Sequence, residues 1–224
     1  MQAYLDRRDA GARLADSLRA LRLPDPVVIG LPRGGVPVAA EIAARLTAPL
    51  DVIVVRKLGI PWQPEVAMGA IGEEGVRVLD ELLIARARVT PSQLESVERR
   101  ERAVLDARVA AVRRVRAAVD LAGRTVVIVD DGIATGATST AACRVARLRG
   151  ATSVVIATPV ASPDALARLH EADRIVCPWV PEAFGAVGAY YRDFSATQDD
   201  EVLRLLAAAA AGTAPGTEPG TDAS

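Results

Sequence analysis

The chain has 224 residues, half of them hydrophobic, with 27 lysines and arginines against 28 aspartates and glutamates. That length suits one domain with a full core, and the net charge of −1 leaves no electrostatic footprint for nucleic acid; no run approaches the roughly 18 uninterrupted apolar residues of a membrane-spanning helix. Two cysteines make no disulfide framework, and a single histidine, His170, excludes chemistry that needs several imidazoles.

The amino terminus, MQAYLDRRDAGARLADSLRALRL, is amphipathic and charged throughout and does not read as a leader, so a cytoplasmic protein with neither membrane nor nucleic acid as partner is expected. Leu14, Leu18 and Leu21 recur at helical spacing until Pro24 and Pro26 stop the pattern before the apolar run at 27–30. The turn Leu31-Pro32-Arg33-Gly34-Gly35 follows, then a helix VPVAAEIAARL and a strand LDVIVV at 50–55, which together make a βαβ unit. Residues 56–80 mix Gly, Pro and charge, and their two short apolar runs are placed to pair as a hairpin around 73–75. A long helical pattern over 92–119 runs through Leu94, Val97, Val104, Ala111, Val115 and Ala118, and its many charges, with Glu95, Glu98, Glu101 and Asp106 offsetting the arginines, read as a solvated face.

Strand and helix then alternate again: TVVIV, a helix over 137–149, the strand SVVIATPV, a short helix after Pro163 that carries His170, and the strand RIVCP at 174–178. This order predicts an α/β fold with a doubly wound parallel sheet, in which ligands bind beyond the carboxyl ends of the strands. One domain spans 1–211, and the Gly/Pro/Thr-rich residues 212–224 read as a disordered tail.

The segment VVIVDDGIATGATST at 126–140 carries the most chemistry. A buried strand delivers Asp130 and Asp131 to its end, and a loop of small residues then opens a helix. Amides of such a loop converge on a phosphate with help from the helix dipole and the hydroxyls of Thr135 and Thr138, while adjacent carboxylates accept hydrogen bonds from a vicinal diol. A phosphate site beside a diol site describes a ribose 5-phosphate. Neither a Walker loop nor a dinucleotide fingerprint is present.

These letters resemble the PRPP-binding motif of the type I phosphoribosyltransferases: a hydrophobic run, two acids, two variable residues, then A-T-G-x-T. The resemblance covers most of 27–200 and implies the fold of that family, a doubly wound parallel sheet with flanking helices and a small hood. It implies that Asp130 and Asp131 hold the ribose hydroxyls and that Ala134, Thr135, Gly136, Ala137 and Thr138 wrap the 5-phosphate. Arg33, Gly34 and Gly35 stand in the diphosphate loop of the family, where a peptide is often cis although not before proline. Arg56 and Lys57 would serve the same diphosphate, and the stretch behind them, with Trp62 and Glu65, resembles the flexible loop that closes over the reaction. Asp130, Asp131, Arg33 and Lys57 would thus be the catalytic set.

Five of the seven aromatic residues lie at Trp179, Phe184, Tyr190, Tyr191 and Phe194. They resemble the carboxy-terminal part of the hood, at about 179–200, so Trp179, Phe184 and Tyr190 are candidates to stack on a base; an aromatic pad packing the last helix is the other reading. Ala134 stands where 6-oxopurine members carry an aspartate, which argues against that activity. The helical segment at 80–121 resembles an insertion found in a group of bacterial phosphoribosyltransferases of unsettled substrate. The implied function is transfer of the ribosyl 5-phosphate from PRPP to a nitrogen acceptor in nucleotide metabolism, with diphosphate released, by a homodimer. Mg²⁺ would enter with PRPP, with no ligand supplied directly by the protein. A PRPP-sensing protein of the same fold without turnover, or an unrelated α/β sugar-phosphate binder, are the alternatives.

Overall fold

The computed structural model describes residues 3–212. Apart from Gly212, which closes the last helix, the expected tail lies outside the described residues.

The centre is a five-stranded parallel sheet in the order β2-β1-β6-β7-β8. Its strands are β1 (Pro26–Gly30), β2 (Leu50–Val52), β6 (Thr125–Val129), β7 (Ser153–Ala157) and β8 (Arg174–Val176). Every residue of β6 is buried, as are four of five in β1, which is why these strands read as unbroken apolar runs. Each fully buried valine or isoleucine there stabilises the fold by about 1.5–3 kcal/mol. The pleat sends Val28, Val127 and Val155 to one face and Ile29, Val126, Ile128 and Ile156 to the other. On the first face lie α1 (Arg7–Arg19) and α2 (Gly35–Leu46); on the second lies α5 (Ala137–Leu148). Gly11 lets α1 approach α2 closely, since a Cβ there would sit 2.6 Å from the Val38 carbonyl oxygen.

The expected single strand at 50–55 is two. β2 stops at Val52, and Val54 donates its amide to Glu73 Oε1 at 2.7 Å instead of to the parallel sheet. The chain then builds a separate antiparallel sheet of β3 (Val55–Ile60), β4 (Gln63–Gly72) and β5 (Arg77–Leu79). The hairpin around 73–75 is present, closed by a 3-10 turn at Glu73–Gly75. The stretch compared with a flexible loop is itself a second hairpin, β3–β4, with Trp62 exposed at its tip.

Two helices, α3 (Glu81–Ala87) and α4 (Pro91–Val115), follow. Pro91 and a capping box between Thr90 and Gln93 start α4. The helix ends four residues earlier than its apolar pattern suggested, and its face differs too: Leu94, Val97, Glu101, Leu105 and Val112 are buried, whereas Val104 and Val115 are exposed. His170 lies exposed in a turn after the short α6 (Pro163–Leu166), not within a helix. The final α7 (Asp199–Gly212) packs Val202 and Leu206 into the core shared by α1 and α2. Among the described residues no helix is long and apolar enough to cross a membrane.

Asp51, fully buried in β2, ties α4 to the main sheet. Its Oδ1 accepts from Arg113 Nη1 of α4 at 2.7 Å, its Oδ2 accepts from the Val119 amide at 3.0 Å, and Arg149 lies 3.8 Å away. Removing one partner of such a pair leaves a buried charge unmatched. Asp51→Ala is therefore expected to cost about 3–5 kcal/mol in urea denaturation, and a loss under about 1 kcal/mol would contradict this role.

Candidate functional site

The loops after β1 and β6 meet at the carboxyl edge of the sheet. A Cβ on Gly34 would overlap Asp131 Oδ2, and one on Gly35 would lie 2.5 Å from the Val129 carbonyl oxygen, so only glycines let these loops touch. The Pro32–Arg33 peptide is cis. Leu31 donates its amide to the Val129 carbonyl at 2.9 Å, which brings the β1 turn against the end of β6.

Asp130 and Asp131 sit side by side where β6 ends. Arg7 of α1 places Nε 2.8 Å from Asp131 Oδ2, donates Nη1 to the Ser195 carbonyl at 2.7 Å, and rests 3.9 Å over the Phe194 ring. Tyr191 donates its hydroxyl to the Asp131 carbonyl at 2.5 Å. Tyr4 and Tyr191 form a parallel bridge, and a Cβ on Gly132 would meet the Val187 side chain. The amino-terminal segment and residues 187–195 thus cap the acidic pair together.

After the acids, Gly136 with φ +84° turns the chain into α5. Among the described residues, the amides of Thr135, Gly136, Ala137, Thr138 and Ser139 donate to no protein acceptor, and Thr138 Oγ1 is buried without a hydrogen-bond partner. Ser162 Oγ anchors the loop through the Ala134 carbonyl at 2.9 Å. Unsatisfied donors converging at a helix amino terminus make an anion site.

A cleft of about 730 Å³ brings together Arg33, Gly34, Arg56, Lys57, Asp130, Asp131, Ala134, Thr135, Gly136 and Thr138. Gly35 and Ala137 lie behind this surface, buried or half-buried. The Lys57 side chain is exposed and makes no hydrogen bond or ion pair among the described residues, while Arg56 pairs with Glu101. The cleft also includes Arg7 and, from α4, Arg100, Glu101 and Arg108. Nothing in the letters around Arg7 or Glu101 marks them, because each resembles an ordinary charge on an amphipathic helix.

The base-stacking candidates do not face this cleft. Tyr190 is buried, Trp179 packs edge-on against it with centroids 4.8 Å apart, and Phe184 stacks on it at 5.6 Å. Their surfaces are largely used on one another, and Phe184 borders a neighbouring cavity of about 580 Å³ beside Ala134 and Thr135. Phe194 and Val187 are the members of this region that line the main cleft. Trp62 and Glu65 are exposed on the β3–β4 hairpin and do not line it, although Gly59 and Pro64 of the same hairpin do.

Burial and the neighbouring Asp131 charge push the Asp130 carboxyl well above the ordinary value of 3.8, with Lys57 opposing. Asp131 is raised as well, because burial outweighs the Arg7 guanidinium. Carboxylates disfavoured in this way would be relieved by hydroxyl donors or by a cation. Among the described residues no group of three or more His, Cys, Asp or Glu side chains is arranged to hold a metal ion.

Residues 2–192 match the family described as the phosphoribosyl transferase domain. The protein named "Putative phosphoribosyl transferase Rv0571c", from Mycobacterium tuberculosis H37Rv, is 52% identical over 207 residues, 92% of this chain and 47% of that protein. A counterpart in strain CDC 1551, "Putative phosphoribosyl transferase MT0597", matches to the same extent, so the chain spans about half the length of these curated relatives. The crystal structure of TT1426 from Thermus thermophilus is 48% identical, covers 93% of this chain and 99% of its own, and superposes with a TM-score of 0.78.

A raised carboxyl pKa in the folded state has a definite sign. The fold holds its proton more tightly than the unfolded chain, so stability falls as pH rises through the range above 3.8 and the ionised acid remains a cost beyond it. Asp130→Asn should raise the unliganded melting temperature at about pH 8 by at least about 2 °C, with the gain shrinking towards about pH 4. A lower melting temperature at the higher pH would show that the carboxylate is stabilising.

Proposed function

Because the chain belongs to the phosphoribosyl transferase domain family and has the type I fold of that family, we propose that it transfers the ribosyl 5-phosphate of PRPP to a nitrogen acceptor, with release of diphosphate. The observation that carries this reading is the run of five amides at 135–139 that meet no protein acceptor among the described residues, with the buried Thr138 hydroxyl likewise without a hydrogen-bond partner, in the loop that follows two cleft carboxylates. The amides and Thr138 would take the 5-phosphate. Asp130 and Asp131 would accept the ribose hydroxyls, whose donors relieve the charge that burial makes unfavourable there.

Arg33, Gly34 and Lys57 would face the diphosphate. Lys57 is suited to this because its ammonium makes no hydrogen bond or ion pair among the described residues, whereas Arg7 is committed to Asp131. Two adjacent carboxylates that form no metal-holding group with a third acid among the described residues would suit a Mg²⁺ that arrives on its substrate, and Asp130 and Asp131 are the residues that would face it. Such an ion offsets the charge developing on the departing diphosphate. The residues themselves would act by positioning and electrostatics: the loop amides fix one end of the donor, the cations fix the other, and the carboxylates face the ribose between them. The β3–β4 hairpin, through Gly59 and Pro64, would help exclude water from the reacting centre.

Ala134 supplies no carboxylate to handle a proton on a 6-oxopurine, so other nitrogen acceptors are favoured. A flat acceptor would meet Phe194 and Val187, two of the apolar side chains that line the cleft. A diphosphate-release screen with Mg-PRPP across purine, pyrimidine and small amine acceptors should identify at least one active acceptor. Tight PRPP binding with no release for any acceptor would instead support a sensing protein of the same fold.

The donor assignment has its own test. Asp130→Asn combined with Asp131→Asn should weaken Mg-PRPP binding by at least about 100-fold, as expected for losing two charged hydrogen-bond acceptors. Calorimetry that finds unchanged PRPP affinity in the folded double variant would overturn it.

A further inference from the structure

Glu101 is the one charged residue among the buried side chains of α4, and it sits on the wall of the cleft. Its Oε2 accepts two hydrogen bonds from Arg56, from Nε at 3.0 Å and from Nη2 at 2.6 Å, and its Oε1 accepts one from Arg100 Nε at 3.2 Å. These guanidinium bonds hold the carboxyl below its ordinary range despite burial.

Glu101 is one of several residues that fasten α4 to the fold. Arg102 donates to the Gly72 carbonyl at 2.9 Å, Glu98 pairs with Arg77 at 3.0 Å, and Arg113 reaches buried Asp51. What Glu101 fixes besides is a cation on the cleft. It occupies one edge of the Arg56 guanidinium and leaves Nη1 without a protein acceptor among the described residues. An arginine held in this way has already lost the rotamer freedom that capturing an anion would cost. Arg56, Arg100 and Glu101 together keep a net positive charge, so the wall still attracts an anion.

We propose that Glu101 is a positioning residue for the donor site: from the helical insertion it holds Arg56 so that the free edge of its guanidinium meets the diphosphate of PRPP. The inference rests on the PRPP reading above. It makes the insertion part of the site rather than an appendage to it.

The test is a double-mutant cycle of Glu101→Gln and Arg56→Gln, read by calorimetry with two probes, Mg-PRPP and ribose 5-phosphate, which lacks the diphosphate. Glu101→Gln should weaken Mg-PRPP by about tenfold, within the coupling range of contacting residues, and leave ribose 5-phosphate within about twofold. Arg56→Gln should lose at least as much, and the double variant should be no weaker than Arg56→Gln alone. Additive losses, equal losses for both ligands, or tighter PRPP binding in Glu101→Gln would each overturn the proposal, the last by showing that the carboxylate competes with the diphosphate. Should Glu101→Gln not fold, Arg56→Lys, which keeps the charge and loses the fork, must weaken PRPP alone for the proposal to stand. An unaltered chain that binds PRPP no better than ribose 5-phosphate would defeat the donor reading itself, whatever the variants do.

Discussion

Two carboxylates on consecutive residues, at the end of a fully buried strand, set the terms for everything around them. Burial raises the pKa of both Asp130 and Asp131, and the Asp131 charge raises Asp130 further. The fold answers with cations brought from far along the chain: Arg7, 124 residues away, bonds Asp131, and Lys57 lowers the cost on Asp130. Neither cation cancels the pair. A charge left partly uncompensated in a cleft is a standing affinity for hydroxyl donors and for a cation carried by a ligand.

The same cation explains the cap. Arg7 joins Asp131, the Ser195 carbonyl and the Phe194 ring, and so couples α1 to the segment that covers the site. Tyr191 adds a second link through the Asp131 carbonyl. The aromatic residues around Tyr190 serve this assembly as a packed pad, with only Phe194 turned to the cleft. An aromatic-poor chain has gathered its rings where two chain segments must be glued over a loop that carries no apolar side chains of its own at Gly132 and Gly136.

α4 is tied to both sheets: buried Asp51 of β2 bonds Arg113 near its carboxyl end, and Glu101, nearer its amino end, bonds Arg56 of β3. The two acids differ in what surrounds them. Asp51 is enclosed and bridges three elements, which suits a structural hub; Glu101 opens onto the cleft, where a bridge also sets the direction of an arginine.

Much of this was legible in the letters. The order of strands and helices, the hairpin at 73–75, and the strand–acid–loop–helix character of 126–140 follow from local rules: buried parallel strands are unbroken apolar runs, and small residues before a helix leave amides free. The same rules misplaced the strand at 50–55, because its break depends on Glu73 accepting the Val54 amide across a hairpin. They also assigned the face of α4 to Val104 and Val115, since burial there is decided by what packs against the helix. By itself, then, the sequence determined the doubly wound sheet and the Asp130–Thr138 loop, features made by neighbouring residues and backbone geometry. Only the tertiary structure decided that Arg7 and Glu101 belong to the cleft and that Trp179, Phe184 and Tyr190 pack one another. Ion pairs and ring contacts between separate elements leave no period in the chain.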